Sequence, residues 1–246
     1  MRKLAFAVPF IAALLAFGPA NADETFKAME KEAFDKAIRT YILEHPEVII
    51  EALEKYEAQE RNAQEKAAAA ALIAQKDKLF DHPMTPISGN SKGDVTVVEF
   101  FDYQCGFCKR TLSTVLEVLE SDKQVRVVWK ELPILGPASE FAARAAMASN
   151  KQGKYQQYHI AIMSARGRLT PEKILRLASK VGLDVDQLKR DMEDPTITAY
   201  LQETLQLAQT LGINGTPGFV IGNKLIPGAI DKTRMQELIA AARNQS

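Results

Sequence analysis

Hydrophobic and polar positions divide the chain into a helical N-terminal part and a mixed C-terminal part. Between Gly18 and Gly89 the chain holds no glycine and is rich in Ala, Glu, Lys and Gln, a composition that favours helix. Apolar residues at helical spacing predict a first helix that ends before His45-Pro46, because the residue before a proline disfavours helix. Pro46 suits the first turn of a second helix. We expect this second helix to reach about Phe80.

The second predicted helix carries a sustained 4-3 spacing of mostly apolar residues: Ile49, Leu53, Tyr56, Glu60, Ala63, Ala67, Ala70 and Ala74. Such a seam predicts packing against another helix. Because a long isolated helix buries little surface, we expect residues 23–80 to form an oligomerisation stalk that joins two or three chains. A solvated, alanine-rich stalk without a partner is the alternative. Residues 81–88 contain two prolines and are predicted to be a linker.

After residue 89 strands alternate with helices. The apolar runs at 95–101 and 125–132 predict strands with a helix between them, and helical spacing then dominates from about 137 to 212. A hairpin at 219–226 and a helix at 231–243 complete the chain. This order predicts an α/β domain over 89–246 with an all-helical insertion at about 137–212.

The start of the chain has the order of a secretory signal peptide. Arg2 and Lys3 precede an apolar stretch from residue 4 to residue 17, and the small-residue segment Ala20-Asn21-Ala22 follows. We expect residues 1–22 to be removed after Ala22 and the mature protein to be exported. An uncleaved anchor is the alternative. No later stretch approaches the roughly 18 apolar residues that a membrane-spanning helix needs.

Charge gives no indication of a nucleic-acid partner. The chain has 31 basic and 31 acidic residues. Removal of the signal takes away Arg2 and Lys3 and no acidic residue, which leaves the mature chain slightly acidic. We therefore expect neither nucleic acid nor a membrane surface to bind through bulk charge.

The chain has only two cysteines, Cys105 and Cys108, and they follow the first predicted strand of the domain. A strand that delivers C-x-x-C to a helix N-terminus is the arrangement that thiol-disulfide exchange needs, because the helix dipole and unpaired amides stabilise a thiolate. Cys105 is the expected nucleophile and Cys108 the resolving thiol. A structural disulfide would close a very short loop and stabilise little.

Half of a zinc site is the other alternative for the cysteine pair. Structural zinc usually takes four protein ligands, and the chain has no second C-x-x-C. His45, His82 and His159 are scattered singly. We expect neither a metal nor a cofactor at the cysteine pair.

The chain also resembles a known family over about residues 89–243. The motifs that carry the resemblance are 100–109 (FFDYQCGFCK), 215–217 (GTP) and 223–228 (NKLIPG). In these it is similar to the DsbA-like thioredoxin-fold oxidoreductases. The helical stalk is most similar to the ScsC-type branch, the suppressors of copper sensitivity. The resemblance implies an α/β thioredoxin fold with an all-helical insertion, preceded by an N-terminal helical oligomerisation stalk.

The resemblance also assigns roles to residues around the cysteines. It implies that Pro217 is a cis-proline and that the backbone of Thr216 pairs with an extended substrate peptide near Cys105. It places Glu99 and Lys130 at positions where the family holds an acid and a base beneath the active site, which could move a proton for Cys108. A structural ion pair, or exposure to solvent, is the alternative for these two residues.

The active-site dipeptide Gly106-Phe107 and Thr216 resemble the isomerase or reductase pattern of the family more than the pattern of its strong oxidant. The expected function is a periplasmic disulfide isomerase or reductase, and a dithiol oxidase is the runner-up. Expected partners are unfolded or misoxidised exported proteins and a membrane thiol-redox protein that reduces or reoxidises the cysteines. Copper binding by two thiolates also stays open.

Overall fold

The computed structural model describes the backbone of residues 22–244 and the side chains of residues 30–244. The predicted signal peptide, apart from Ala22, lies outside the described residues. The chain divides into two compact units, and the boundary along the chain lies between Arg61 and Asn62.

The described part of the N-terminal unit consists of one helix and the first half of a second, and these are the two helices that the sequence predicts. Helix α1 (Ala22–Glu44) ends before His45-Pro46, and α2 (Glu47–Ala74) begins directly after it. Apolar side chains of the predicted seam are open to solvent in the single chain, where Leu53 is 53% and Tyr56 is 60% exposed. The apolar seam therefore exists on α2. Its packing against another chain stays a prediction.

The second helix does not run unbroken to Phe80. Helix α2 ends at Ala74, Gln75 leaves the helical conformation, and a short helix α3 (Lys76–Phe80) follows. Leu72 and Leu79 are both buried in the apolar core of the C-terminal unit. Packing of these two leucines outweighs the helical propensity of the segment and ends the long helix there.

The structure differs from the predicted linker at residues 81–88. Ile87–Gly89 forms a strand, β1, at the edge of the sheet. The amide of Trp129 donates to the carbonyl oxygen of Pro86 (3.0 Å), and the indole of Trp129 donates to the Ser88 hydroxyl (2.8 Å). Thr85 is buried as well. The two prolines therefore precede an edge strand, a position where proline is tolerated.

Five strands form one mixed sheet, with β2 (Val95–Phe101), β3 (Val125–Glu131), β4 (Gly218–Ile221) and β5 (Lys224–Pro227) added to β1. The order across the sheet is β1-β3-β2-β4-β5. Strands β2 and β3 are parallel, and the other neighbours are antiparallel. The predicted strands and hairpin are confirmed within one or two residues.

Helix α4 (Gly106–Ser121) connects β2 to β3, as the alternating pattern predicts. The helical insertion is also confirmed: α5 (Pro137–Ser149), a 3₁₀ turn, α6 (Tyr155–Met163), α7 (Pro171–Lys180), α8 (Val185–Met192) and α9 (Pro195–Thr210). The sequence pattern does not predict α8 as a separate helix. A local signal is present, because the Asp184 side chain caps α8 by accepting a hydrogen bond from the amide of Gln187 (2.9 Å). Helix α10 (Lys232–Arg243) ends the fold.

The two faces of the sheet carry separate apolar clusters. Alternation along β2 places Val97 and Phe101 on one face and Val98 and Phe100 on the other. The first face packs against α4, α10 and much of the insertion, and the second against α3 and the end of α9. Within residues 22–244, no helix combines the length and the hydropathy that crossing a membrane requires.

Candidate active site

Cys105 lies at the junction of the β2–α4 loop and α4. Its amide donates to the carbonyl oxygen of Asp102 (3.0 Å). Cys105 is the N-cap of α4, and its Sγ accepts a hydrogen bond from the amide of Cys108 (3.4 Å). A side chain in this position pairs one of the free amides of the first turn and lies at the positive end of the helix dipole. The predicted delivery of Cys105 to a helix N-terminus is confirmed.

The surroundings of the Cys105 sulfur favour its ionised form. Burial raises the pKa of Cys105, but hydrogen bonds with Thr216 and Cys108 and with the backbone of Phe107 outweigh burial and bring the pKa below the ordinary thiol value. The neutral thiol donates to the carbonyl oxygen of Thr216 (3.2 Å). The Thr216–Pro217 bond is cis, as the resemblance implies. The backbone at Thr216 therefore lies within contact distance of the nucleophile.

Cys108 has the opposite environment. The structure holds both cysteines as free thiols, and Cys108 is fully buried beneath the first turn of α4. Burial raises the pKa of Cys108 far above the ordinary thiol value. A backbone hydrogen bond at Asp102 offsets little of this increase, and the charge of Glu99 adds to it. Of the two thiols, Cys105 ionises first.

Glu99 is a buried carboxylic acid on the same face of the sheet as the cysteines. It lies between Val97 and Phe101, which face the cluster that contains Cys108. Burial, and second the negative charge of Cys105, raise the pKa of Glu99 to about 8. Its Oε2 has no hydrogen-bond partner among the described residues. The carboxyl group is therefore mostly protonated at neutral pH and is available to exchange a proton.

Lys130 lies on the opposite face of the sheet from Glu99. This finding corrects the expectation that an acid and a base lie together beneath the cysteines. Alternation along β3 turns Trp129 toward the cysteine face and Lys130 toward the other face. The Nζ of Lys130 donates to the carbonyl oxygen of Lys78 (2.6 Å) and to the hydroxyl of Thr85 (2.8 Å). Burial lowers the pKa of Lys130 to about 7. The structure places Lys130 where it holds the segment before β1.

Asp102 fixes the loop before the cysteines, a role that the sequence did not reveal. One carboxylate oxygen accepts from the amide of Gln104 (2.7 Å) and from the hydroxyl of Ser139 (2.6 Å), and the other accepts from the amide of Leu135 (2.9 Å). Asp102 thereby ties the active-site loop to the start of the helical insertion. The sequence signal for this role was the position of Asp102, a charged residue directly after the buried strand β2.

A buried polar cluster beside the loop was also missed. The hydroxyls of Tyr103 and Tyr155 both donate to Oε1 of Glu131 (3.0 and 2.7 Å), and Tyr103 lies 3.0 Å from Nδ1 of His159. Burial raises the pKa of Glu131 well above its ordinary value and lowers that of His159 to about 3. The hydrogen bonds of this cluster hold Tyr103 two residues before Cys105.

The dipeptide between the cysteines is accessible. Phe107 is 57% exposed, and the guanidinium of Arg110 lies over its ring, 4.3 Å from the centroid. Among the side chains of residues 30–244, no group of three or more His, Cys, Asp or Glu residues is placed to hold a metal ion. The chemistry that the site offers is that of its two thiols and the nearby carboxylic acid.

Two family models match the chain. One is named DSBA-like thioredoxin domain and matches residues 96–240, and the other is named Copper resistance protein ScsC N-terminal domain and matches residues 30–63. The first covers more than half of the chain and contains the site described above. The second lies within the two N-terminal helices.

Solved structures share the fold. A thioredoxin-like oxidoreductase from Silicibacter pomeroyi DSS-3 is 47% identical, with a TM-score of 0.68 over 69% of this chain and 98% of that chain. ScsC from Proteus mirabilis, in a transitional conformation, is 26% identical, with a TM-score of 0.67 over 89% of this chain and 99% of that chain. The second similarity includes part of the N-terminal helices.

Curated relatives are longer proteins. The Na(+)/H(+) antiporter NhaA 3 of Salinispora tropica is 29% identical over 164 residues, which are 63% of this chain and 25% of that protein. This chain spans about a quarter of the length of the curated relatives that it matches.

The proton on Glu99 predicts a pH dependence of stability. The ordinary pKa of 4.5 applies in the unfolded chain and about 8 in the folded one, so the stability from the retained proton is complete below pH 4.5 and is lost as the pH rises through 8. Between pH 5 and 8, the free energy of unfolding of the reduced wild type should fall relative to Glu99→Gln, by at most about 1.4 kcal/mol per pH unit.

Chemical denaturation of both reduced proteins across this range measures the difference. The matched control is Glu120→Gln, because Glu120 is exposed on α4, and its curve should run parallel to the wild-type curve. Parallel curves for wild type and Glu99→Gln would show that the Glu99 carboxyl ionises near its ordinary pKa, contrary to the site described above.

Proposed function

Because the chain belongs to the family of DSBA-like thioredoxin domains, we propose that it exchanges disulfides with exported polypeptides through Cys105 and Cys108. The observation that carries this proposal is the difference between the two thiols. Cys105 has a lowered pKa at the start of α4, and Cys108 is buried behind it with a raised pKa. Exchange needs one ionised nucleophile that meets the substrate and a second thiol that acts later.

In the reductive direction the Cys105 thiolate attacks one sulfur of a substrate disulfide. A bond forms between Cys105 and that sulfur, and the second substrate sulfur leaves and takes up a proton. Cys108 then loses its proton and attacks Cys105, which releases the first substrate sulfur as a thiol. Two electrons pass from the cysteine pair to the substrate, and a Cys105–Cys108 disulfide remains. In isomerisation another thiolate of the substrate attacks the substrate sulfur of the mixed disulfide; a new substrate disulfide forms and Cys105 leaves as the thiolate.

Glu99 is the proposed acceptor of the proton of Cys108. With a pKa of about 8, roughly a tenth of the Glu99 side chains are ionised at pH 7. Part of this raised pKa comes from the negative charge on Cys105. When Cys105 enters a mixed disulfide its charge disappears, so the pKa of Glu99 falls and the carboxylate becomes available. The fraction of Glu99 that is ionised, and that can accept a proton, therefore increases at the step that needs it.

We propose that the site works as an isomerase or reductase. The dipeptide Gly106-Phe107 and Thr216 support this direction through their resemblance to the isomerase pattern. A lowered pKa at Cys105 favours the reduced form of the pair in isomerases and in strong oxidants alike, so the proposed direction depends on the dipeptide and Thr216. A dithiol oxidase is the second candidate for the direction. The proposed redox partner is a membrane thiol protein that reduces the pair, or that reoxidises it if the enzyme is an oxidase.

The signal-peptide pattern of residues 1–22 supports a periplasmic location, with cleavage after Ala22. Exposed apolar residues on α2 support assembly into a dimer or trimer through residues 23–80.

Cu(I) binding by the two thiolates is a further candidate, which the match of residues 30–63 to a domain named for copper resistance favours. A Cu(I) titration of the reduced protein and of Cys105→Ser separates copper binding from exchange.

Refolding of scrambled ribonuclease tests the direction of exchange. The reduced protein should restore ribonuclease activity, Cys105→Ser should restore none, and Cys108→Ser should accumulate a mixed disulfide because the resolving thiol is missing. Cys108→Ser is the control that retains the nucleophile. Rapid oxidation of reduced ribonuclease without repair of the scrambled form would favour the oxidase. Failure of both reactions would contradict disulfide exchange.

Substitution within the seam tests the assembly. Leu53→Glu places a charge on the apolar stripe and should convert the assembly of the full chain to monomers, as measured by light scattering, because a buried unpaired charge disfavours helix association. Ala58→Glu adds the same charge to α2 outside the seam and should leave the assembly intact. A wild-type protein that is monomeric at micromolar concentration would contradict the proposed stalk.

A further inference from the structure

A short loop of the helical insertion lies against the start of α4. The Nζ of Lys109, in the first turns of α4, donates to the carbonyl oxygen of Ala165 (2.9 Å). The Nζ of Lys173, on α7, donates to the carbonyl oxygens of Arg166 and Arg168. Two ammonium groups from two helices therefore hold three carbonyl groups of residues 165–168. The loop that carries two exposed arginines is fixed beside the active-site helix.

This arrangement concentrates positive charge next to the cysteines. The guanidinium of Arg110 covers the ring of Phe107, the exposed residue between Cys105 and Cys108. We call the following five side chains the cationic rim: Lys109, Arg110, Arg166, Arg168 and Lys173. Burial, and second the charge of Lys173, lower the pKa of Lys109. The ammonium groups of Lys109 and Lys173 bind the carbonyl oxygens of two adjacent residues, Ala165 and Arg166, so these like charges lie close together.

The described residues leave the rim without neutralising partners. None of the ion pairs within residues 30–244 includes a side chain of the rim. Glu172, the neighbour of Lys173 in the chain, is hydrogen-bonded to Thr170 and faces Arg176. Unpaired like charges repel one another and lower the stability of a folded domain. A negative partner would relieve that repulsion when it binds.

We propose that the cationic rim selects polypeptide substrates that carry acidic residues next to the reacting cysteine. The inference rests on the disulfide exchange proposed above and names the class of substrate for the same site. Complementary charge raises the rate of association and orients the partner, and salt weakens both effects. Arg110 lies over Phe107, next to Cys105, and Lys109 of the same helix holds the loop that carries Arg166 and Arg168. Acidic residues beside the reacting cysteine of a substrate would meet these positive charges.

Two peptide disulfides test the selection. Each is a homodimer of a short peptide with one cysteine, flanked by three Glu in one peptide and by three Lys in the other. The reduced full-length protein converts each dimer to two peptide thiols while Cys105 and Cys108 form a disulfide, and acid-quenched chromatography follows the reaction. Each rate is divided by the rate with dithiothreitol, which removes differences in intrinsic peptide reactivity. The acidic peptide should react about tenfold faster at low ionic strength.

The double variant Arg166→Gln/Arg168→Gln should lower the preference for the acidic over the basic peptide at least threefold. It retains Arg110 over the ring of Phe107. The matched control is Lys123→Gln, since Lys123 is exposed beyond the opposite end of α4, roughly 24 Å along the helix, and it should retain the preference. In about 1 M salt, where the Debye length is about 3 Å, the preference should vanish. Alkylation by uncharged iodoacetamide should proceed at the same rate in all three proteins.

Equal normalised rates for the two peptides, or a preference that survives the double variant or the salt, would overturn the role of the cationic rim while leaving exchange intact. A slower iodoacetamide reaction of the double variant would also overturn it, because the arginines would then act on the Cys105 thiol rather than on the substrate. Reduction of neither peptide would contradict the proposed exchange itself, and the inference with it.

Discussion

The hydrogen bonds at the Cys105 sulfur compete with its burial, and the proposed chemistry depends on that competition. Burial disfavours a thiolate, whereas hydrogen bonds from the Thr216 side chain and from the first turn of α4 favour it. Cys108 lies in the same apolar cluster without enough compensating hydrogen bonds, so its pKa rises. One helical turn thus separates a thiol that ionises readily from one that does not. The rest of the domain holds the first turn of α4 and the segment at Thr216 in the positions that create this difference.

The alternation of strand residues decides which buried charges reach the cysteines. Odd-numbered residues of β2 face α4, so Glu99 shares the environment of Cys108 and responds to the charge of Cys105. Lys130 faces away and holds Thr85 and the backbone of Lys78. Glu99, the proposed acceptor of the proton of Cys108, therefore has a pKa that depends on the state of Cys105. An ion pair between Glu99 and Lys130 would have removed this dependence.

Local patterns in the sequence were sufficient for strands β2 to β5, for the presence of the helical insertion and for the cysteine pair, but not for β1 or α8. Period-2 and period-3.6 spacing locates β2 and α4, and C-x-x-C between them identifies the nucleophile. The errors arose where long-range packing decides the outcome. Burial of Leu72 and Leu79 ends α2 at Ala74, and pairing with β3 makes a strand of residues that resemble a linker.

The same limit applies to the site. Strand register determines that Lys130 faces away from Glu99, and a motif match carries no information on which face a residue occupies. The polar cluster of Glu131 joins residues 24 to 28 positions apart in the chain, and nothing local marks them as partners. The family resemblance supplied Thr216 and Pro217, which lie more than a hundred residues from Cys105 and which spacing alone could not connect to it.

The pH dependence of Cys105 alkylation tests the central claim most directly. The reduced protein is treated with iodoacetamide from pH 5 to 10, the label on each cysteine is located by mass spectrometry, and glutathione is alkylated in parallel. The rate at Cys105 should follow a single ionisation with a midpoint below the ordinary thiol pKa of about 8.5, while Cys108 stays unlabelled. A midpoint at or above that of glutathione, or no reaction at Cys105, would contradict the account.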